Sequence, residues 1–269
     1  MTRRRRYRFD KAIIALICAA LLYAGLMIWL HPRILYPFRS DRFSAPEFEA
    51  RLVQVQGAEP IEIQLSEGRK GAPVVLYFMG NVGSLVYFEP MLAHHVSRDR
   101  TVVGMTFRGA GGVPGQSSER TLKRDALAVA DHVRALYPDA PLVVQGYSLG
   151  TGLAVHVAAR RAVDGVILSA PFDALCRLMA KRSGLPACLL PVQRWRTDRD
   201  APMVRAPVLV QHGTGDRVIP FVSGMRLVGH FEDAGVPLTF GALQGARHGD
   251  MMSFPEHQTR IDNFIFGLR

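Results

Sequence analysis

Hydrophobic positions follow two kinds of pattern along this chain. Residues 12–30 are nineteen consecutive positions without a charge, enough helix to cross the hydrocarbon core of a bilayer. From residue 52 onward, short apolar runs alternate with amphipathic stretches. Residues 52–55 and 61–65 alternate at period two, predicting strands with one buried face. Residues 74–79 form a continuous apolar run, as in a parallel strand covered on both sides. A glycine-containing break at 80–83 follows it, and Ser84 can cap a helix running to about residue 97. The pattern then repeats: a strand over 101–107, a glycine-rich loop over 108–115, and a helix capped by Ser118. That helix carries Leu122, Ala126, Val129, Val133 and Leu136 on one face. Further strands are predicted at 142–144, 165–170, 207–211 and 236–240, and helices at 149–161, 221–234 and 256–268. Strands alternating with helices imply an α/β protein, a mostly parallel central sheet with helices on both faces. Residues 171–206 depart from the alternation. They are long for a strand-to-strand connection and hold Pro186, Pro191 and Pro202, so they read as a small lid inserted over the C-terminal sheet edge.

Charge divides the chain further. The net charge is +10, and half of it sits in the first eleven residues, where Arg3, Arg4, Arg5, Arg6, Arg8 and Lys11 face only Asp10. Basic residues before an apolar span, with Trp29 near its end, fit a signal anchor whose N-terminus stays cytoplasmic. The expected organisation is a basic segment 1–11, a transmembrane anchor 12–30, a connector 31–49 and one globular domain 50–269. The domain would then lie on the exported side, periplasmic or lumenal. A cleavable signal peptide is the competing reading, but it needs a shorter apolar region and a small-residue site, which does not follow Leu30. His31-Pro32-Arg33 reads as the helix exit. No basic stripe interleaved with aromatics suggests nucleic acid. The cysteines have no metal-ligand spacing. Cys18 lies in the anchor, and Cys176 and Cys188, twelve apart, are either a disulfide of an exported domain or two small thiols. Neither a metal nor an organic cofactor is implied, and the oligomeric state is not specified.

The candidate chemistry centres on Gly146-Tyr147-Ser148-Leu149-Gly150, set between a strand and a helix. This is a nucleophile elbow: glycines admit the close approach of strand and helix, and the serine is presented on a sharp turn. A serine hydroxyl needs a base to take its proton and an acid to orient that base. In a sheet of this kind the two should follow in the order acid then histidine, each just after a strand. Asp216 follows the strand at 207–211, and His248 follows the strand at 236–240. The Leu149 N–H at the helix start and the Asn81 N–H in the loop after 74–79 are the expected oxyanion donors. Asp173 is an alternative acid or a helix cap. His212 packs against or bonds the loop that holds Asp216, Asp250 can bond the loop around His248, and His94, His95 and His257 are expected at the surface.

Together these motifs resemble the membrane-anchored ABHD-type serine hydrolases of the α/β-hydrolase superfamily. MGNVGS stands where the family has HGNAGN, and RGAGGVPGQSSE where it has RGYGxSxGxPSE. GYSLG forms the elbow, HGTGDRVIP the acid loop and GARHGD the histidine loop. The resemblance covers roughly residues 50–269 and the anchor. It implies the α/β-hydrolase fold and hydrolysis of an acyl ester or thioester through an acyl-enzyme, with a small-molecule acyl substrate. A peptidase or amidase on the same triad is the alternative enzyme. A non-catalytic hydrolase-fold protein that binds a lipid or partner is the alternative of another class. Met79 departs from the family, which has a histidine there to buttress the oxyanion loop.

Overall fold

A computed structural model describes residues 3–268, with side chains from residue 10 onward. The arginine side chains expected to fix the anchor's orientation therefore lie outside the described residues. Eight strands make one sheet: β1 (Glu49–Val55), β2 (Ala58–Ser66), β3 (Val74–Phe78), β4 (Thr101–Met105), β5 (Leu142–Tyr147), β6 (Gly165–Ser169), β7 (Val208–Gly213) and β8 (Leu238–Leu243). Their spatial order is β1-β2-β4-β3-β5-β6-β7-β8. β2 runs antiparallel to both neighbours, and β4 through β8 are joined by parallel pairings. β3, β4, β5, β6 and β7 are buried at every position, which explains their unbroken apolar runs. β8 at the edge alternates instead.

Helices α2 (Glu89–Val96), α3 (Glu119–Leu136), α4 (Leu149–Ala158), α7 (Phe221–Asp233) and α8 (Pro255–Phe266) cover the sheet. α3 starts where expected, with Ser118 and Thr121 forming a reciprocal cap. The helix predicted from Ser84 begins instead as a 3₁₀ turn, Leu85–Phe88, and becomes α-helical where Pro90 fits the first turn. The last strand starts at Leu238, not 236. Gly235 takes a left-handed φ after α7, and Pro237 has no N–H for the ladder.

The largest difference from expectation is at the N-terminus. Helix α1 spans Arg3–Leu35 and runs through Pro32, so the connector starts later than residue 31. Proline removes the bond that its own N–H would make to the carbonyl of Ile28. Here His31 takes that place: its Nδ1–H donates to Ile28 O, while its Nε2 accepts from the Gln193 N–H at 3.2 Å. The helix resumes, with Tyr36 N bonded to Pro32 O at 2.8 Å. Among the described residues, Asp10–Leu35 is the one helix long and apolar enough to cross a membrane.

After α1 the chain lies on the domain as a strap. Arg39 N donates to Val82 O at 2.9 Å, Phe38 packs over Gly83, and Phe43 is buried. The insertion after β6 folds into α5 (Leu175–Ser183) and a short α6 (Thr197–Asp200). It is tied by a disulfide between Cys176 and Cys188 and by the fully buried Trp195. Two of the histidines expected at the surface are buried. His95 Nε2 bonds Gln145 of β5 at 2.7 Å, and His257 Nε2 bonds Ser169 of β6 at 2.8 Å. Their helices press these faces against the sheet, and each ring exchanges solvent for a polar strand residue.

Candidate active site

β5 ends at Tyr147 and α4 begins at Leu149, leaving one residue to reverse the chain. That residue, Ser148, has φ +50° and ψ −116°, a backbone region that side chains rarely occupy and that costs about 1–3 kcal/mol. The turn is held by hydrogen bonds. Ser148 N donates to Ser169 O at 2.9 Å, and Thr151 Oγ1 donates to Ser148 O at 2.6 Å. A Cβ on Gly146 would lie 2.4 Å from Gly150 O, and one on Gly150 would lie 2.0 Å from Phe78 O. Both glycines are therefore required by backbone-to-backbone contact, as the spacing implied.

Two further loops converge on this serine. After β7, Asp216 Oδ1 accepts from the N–H groups of Val218 and Ile219, both at 2.8 Å. Its Oδ2 accepts from His248 Nδ1 at 2.7 Å. His248 Nε2 lies 2.9 Å from Ser148 Oγ. Because a carboxylate only accepts, Nδ1 carries the proton, which leaves Nε2 free to accept from the serine hydroxyl. The two loops are stitched together: Gly245 N donates to Thr214 Oγ1 at 2.8 Å, and Gly215 N to Ala246 O at 3.0 Å. Tyr147, inside the elbow, donates its hydroxyl to His248 O. Burial, then the charges of Asp216 and Asp250, push the Tyr147 phenol up, so this donor keeps its proton.

Ser148 and Asp216 are each 5% exposed. Burial pushes the Asp216 carboxyl up, but hydrogen bonds from His212 and His248 and from the Ile219 N–H outweigh it. The carboxyl stays well below the usual carboxylate range. His212 is buried beneath this loop, with Nε2 donating to Ile219 O at 2.9 Å. Asp250 accepts from Arg247 N at 2.6 Å and shapes the histidine loop. Asp173 lies elsewhere and is not a helix cap, because Ala174 occupies that position before α5. It is buried against Ser223, Arg177 and Arg226.

Asn81, Ser148 and Leu149 line one cavity of about 240 Å³. The Leu149 N–H opens α4 and has no acceptor within the helix. The arrangement can take the Ser148 proton onto His248 as Oγ attacks a carbonyl, hold the imidazolium beside Asp216, and receive negative charge at the helix start. Met79 is fully buried at the end of β3 and does not line the cavity. The sequence did not identify the rest of the lining. Tyr23, Met27, His31, Ile34 and Leu35 come from α1, Leu175, Leu178, Met179, Arg182 and Ser183 from α5, and Val218 and Ile219 from the loop after Asp216. Spacings of three and four in the anchor, with Tyr and His on that stripe, were the available signal.

The alpha/beta hydrolase fold family matches residues 73–185. Over 228 residues the chain is 29% identical to the lysophosphatidylserine lipase ABHD12 of Rattus norvegicus, covering 72% of this chain and 56% of that protein. The chain thus spans about half the length of the curated lipases it matches. It is 27% identical over 254 residues to an uncharacterized protein of Mycobacterium tuberculosis, covering 89% of this chain and 87% of the other. An esterase of Pyrococcus furiosus superposes with a TM-score of 0.72 at 16% identity, over 86% of this chain and 98% of the esterase. That likeness is one of fold: the mostly parallel sheet with its elbow after β5 is the α/β-hydrolase fold.

Proposed function

We propose that this chain, which has the α/β-hydrolase fold and matches the alpha/beta hydrolase fold family over residues 73–185, is a membrane-anchored serine hydrolase cleaving carboxylic ester or thioester bonds. The observation that carries this reading is the continuous relay from Ser148 Oγ through His248 to Asp216 at a strained elbow. Ser148 attacks the acyl carbonyl while His248 Nε2 takes its proton. Asp216 holds the imidazole and stabilises its charged form. The N–H groups of Leu149 and Asn81 hold the oxyanion. His248 then returns its proton to the leaving oxygen or sulfur, giving an acyl-enzyme, and water enters by the reverse sequence. Lysophosphatidylserine, named for the rat relative, is the first substrate to assay.

A fluorophosphonate probe tests the reading. Labelling of the wild-type chain that disappears in Ser148→Ala supports it. A folded wild-type protein that takes no label, and hydrolyses neither p-nitrophenyl esters nor a thioester, contradicts it.

A further inference from the structure

Helix α1 has two apolar faces that meet different surroundings. Tyr23, Met27, His31, Ile34 and Leu35 recur at steps of three and four and line the same cavity as Ser148. Leu22, Leu26 and Trp29 do not line it and are 73%, 50% and 60% exposed; on the stripe itself His31 is buried, while Tyr23 and Ile34 keep 43% and 57% of their surface exposed. Across the cavity stand Leu175, Leu178 and Met179 of the insertion, with Arg182 and Ser183 following at the end of α5.

α1 and the residue that follows it are fixed to the insertion at both ends of the stripe. At one end the Tyr23 hydroxyl donates to Ser183 O at 3.0 Å. At the other, Gln193 N donates to His31, and Trp195 Nε1–H donates to the Tyr36 hydroxyl at 3.0 Å. Phe38, three residues beyond Leu35, packs over Gly83 in the loop that carries Asn81. The Leu35 end of the stripe is therefore the end near Ser148, and Tyr23 is the far end.

From Leu35 to Tyr23 is twelve residues, or about 18 Å of helix. That is close to half of a hydrocarbon core about 30 Å thick. Tyr23 and Met27 also fall inside the uncharged run 12–30, which the anchor reading sets at hydrocarbon depth. The cavity measures about 240 Å³, a little below the roughly 300 Å³ at which drug-sized pockets begin.

Resting on the serine-hydrolase reading above, we propose that α1 is one wall of the acyl pocket as well as the anchor. The substrate is a bilayer-resident acyl amphiphile that enters sideways from the leaflet on the hydrolase side. Its chain passes from lipid to the α1 stripe without crossing water, so no methylene is hydrated on the way. Met27, midway along the wall, and Tyr23, at its end, set the chain length accepted.

The test uses the full chain in phosphatidylcholine liposomes, with p-nitrophenyl esters from butyrate to palmitate. Met27→Trp is expected to lower the ratio of long-chain to short-chain kcat/KM about tenfold or more. Leu22→Trp, on the opposite face, is expected to leave that ratio unchanged. In the wild-type chain, a long-chain alkyl fluorophosphonate bearing a terminal diazirine should label Ser148. On illumination it should crosslink within residues 23–35, a readout that needs no substitution. An unchanged ratio in folded Met27→Trp overturns the proposal, as do crosslinks falling wholly outside α1. If Ser148 takes no probe at all, the serine-hydrolase reading fails first, and the two failures are thereby told apart.

Discussion

The two sides of the Ser148 pocket are built by different means. On one side Ser148, Asp216 and His248 each follow a strand of one sheet, and main-chain hydrogen bonds fix all three loops. On the other side, α1 meets the insertion through side-chain packing and a few polar joints between residues about 160 apart in sequence. The first side is rigid and suits charge chemistry, where small misplacement is costly. The second is mostly apolar and carries none of the three relay residues, so it can vary its length and shape while the relay stays in place. Reactivity and acyl selectivity should therefore respond to different substitutions.

The largest effects should come from the sheet-borne side. Ser148→Ala or His248→Ala is expected to lower kcat by about 10⁶-fold, and Asp216→Asn by about 10⁴-fold, because nucleophile and base act as a unit while the acid orients. Asp173→Asn should lower thermal stability and not turnover, since its partners are Ser223, Arg177 and Arg226. Steady-state kinetics on one soluble ester, paired with melting curves, checks all four. The reverse outcome for the two aspartates would move the acid to Asp173 and break the contrast.

Stability against pH should report on the same side. Burial, then the charge of Arg100, lowers His95 to about 3. Burial, then the charges of His94 and Arg260, lowers His257 to about 4. Both rings therefore fold neutral, while in the unfolded chain they take up protons below about 6.5. Between pH 6.5 and 4 the unfolded state binds more protons, so stability falls as the pH falls. Each ring contributes on the order of 3 kcal/mol across that window. Melting temperature in detergent should drop steadily from pH 7 to 4, and His257→Gln should flatten the slope. A flat wild-type profile would show that these rings charge in place.

The difference between the two sides also decides what could be read from sequence. Strand-to-loop positions are local signals: Asp216 lies five residues after Gln211, and the elbow glycines mark a backbone contact that no side chain could replace. The parallel sheet and the meeting of Ser148, Asp216 and His248 were legible for that reason. Helix register against a distant partner is not a local signal. Pro32 looked like a stop because the sequence does not say that the His31 ring bonds the carbonyl of Ile28. His95 and His257 looked exposed because Gln145 and Ser169, which receive them, are 50 and 88 residues away.

The insertion offers a sharper division. The disulfide between Cys176 and Cys188 suits an oxidising compartment, in keeping with export of the domain. Closing a loop of this size is worth about 3 kcal/mol through the unfolded chain. Cys188→Ser should therefore lower stability by about that amount and loosen α5, while fluorophosphonate labelling of Ser148 persists. Thiol labelling of membranes with and without reductant reads the bond directly. Free thiols at both positions in the native membrane, or protease shaving of the domain from the cytoplasmic face alone, would count against export.

The smallest expected effect isolates the joint between α1 and the insertion. The Tyr36 hydroxyl donates to Gln193 Oε1 and accepts from Trp195 Nε1–H at 3.0 Å, and burial raises its own ionisation far above the physiological range. Gln193 Oε1 keeps a second partner, the Glu119 N–H at 2.5 Å. The Trp195 N–H, on a ring that is fully buried, has no other acceptor in this group. Tyr36→Phe preserves the ring and its contact with Phe38 but leaves that donor unmet, a loss of about 1–3 kcal/mol. If α1 and α5 form one wall, the loss should appear locally. Limited proteolysis should cut within 171–206 sooner, and the preference for long over short acyl chains should weaken. The sheet-borne relay shares no hydrogen bond with Tyr36, so the pH profile for a short ester should keep its shape. A variant that shifts that profile, while its insertion resists protease as well as wild type, would show the two sides to be coupled.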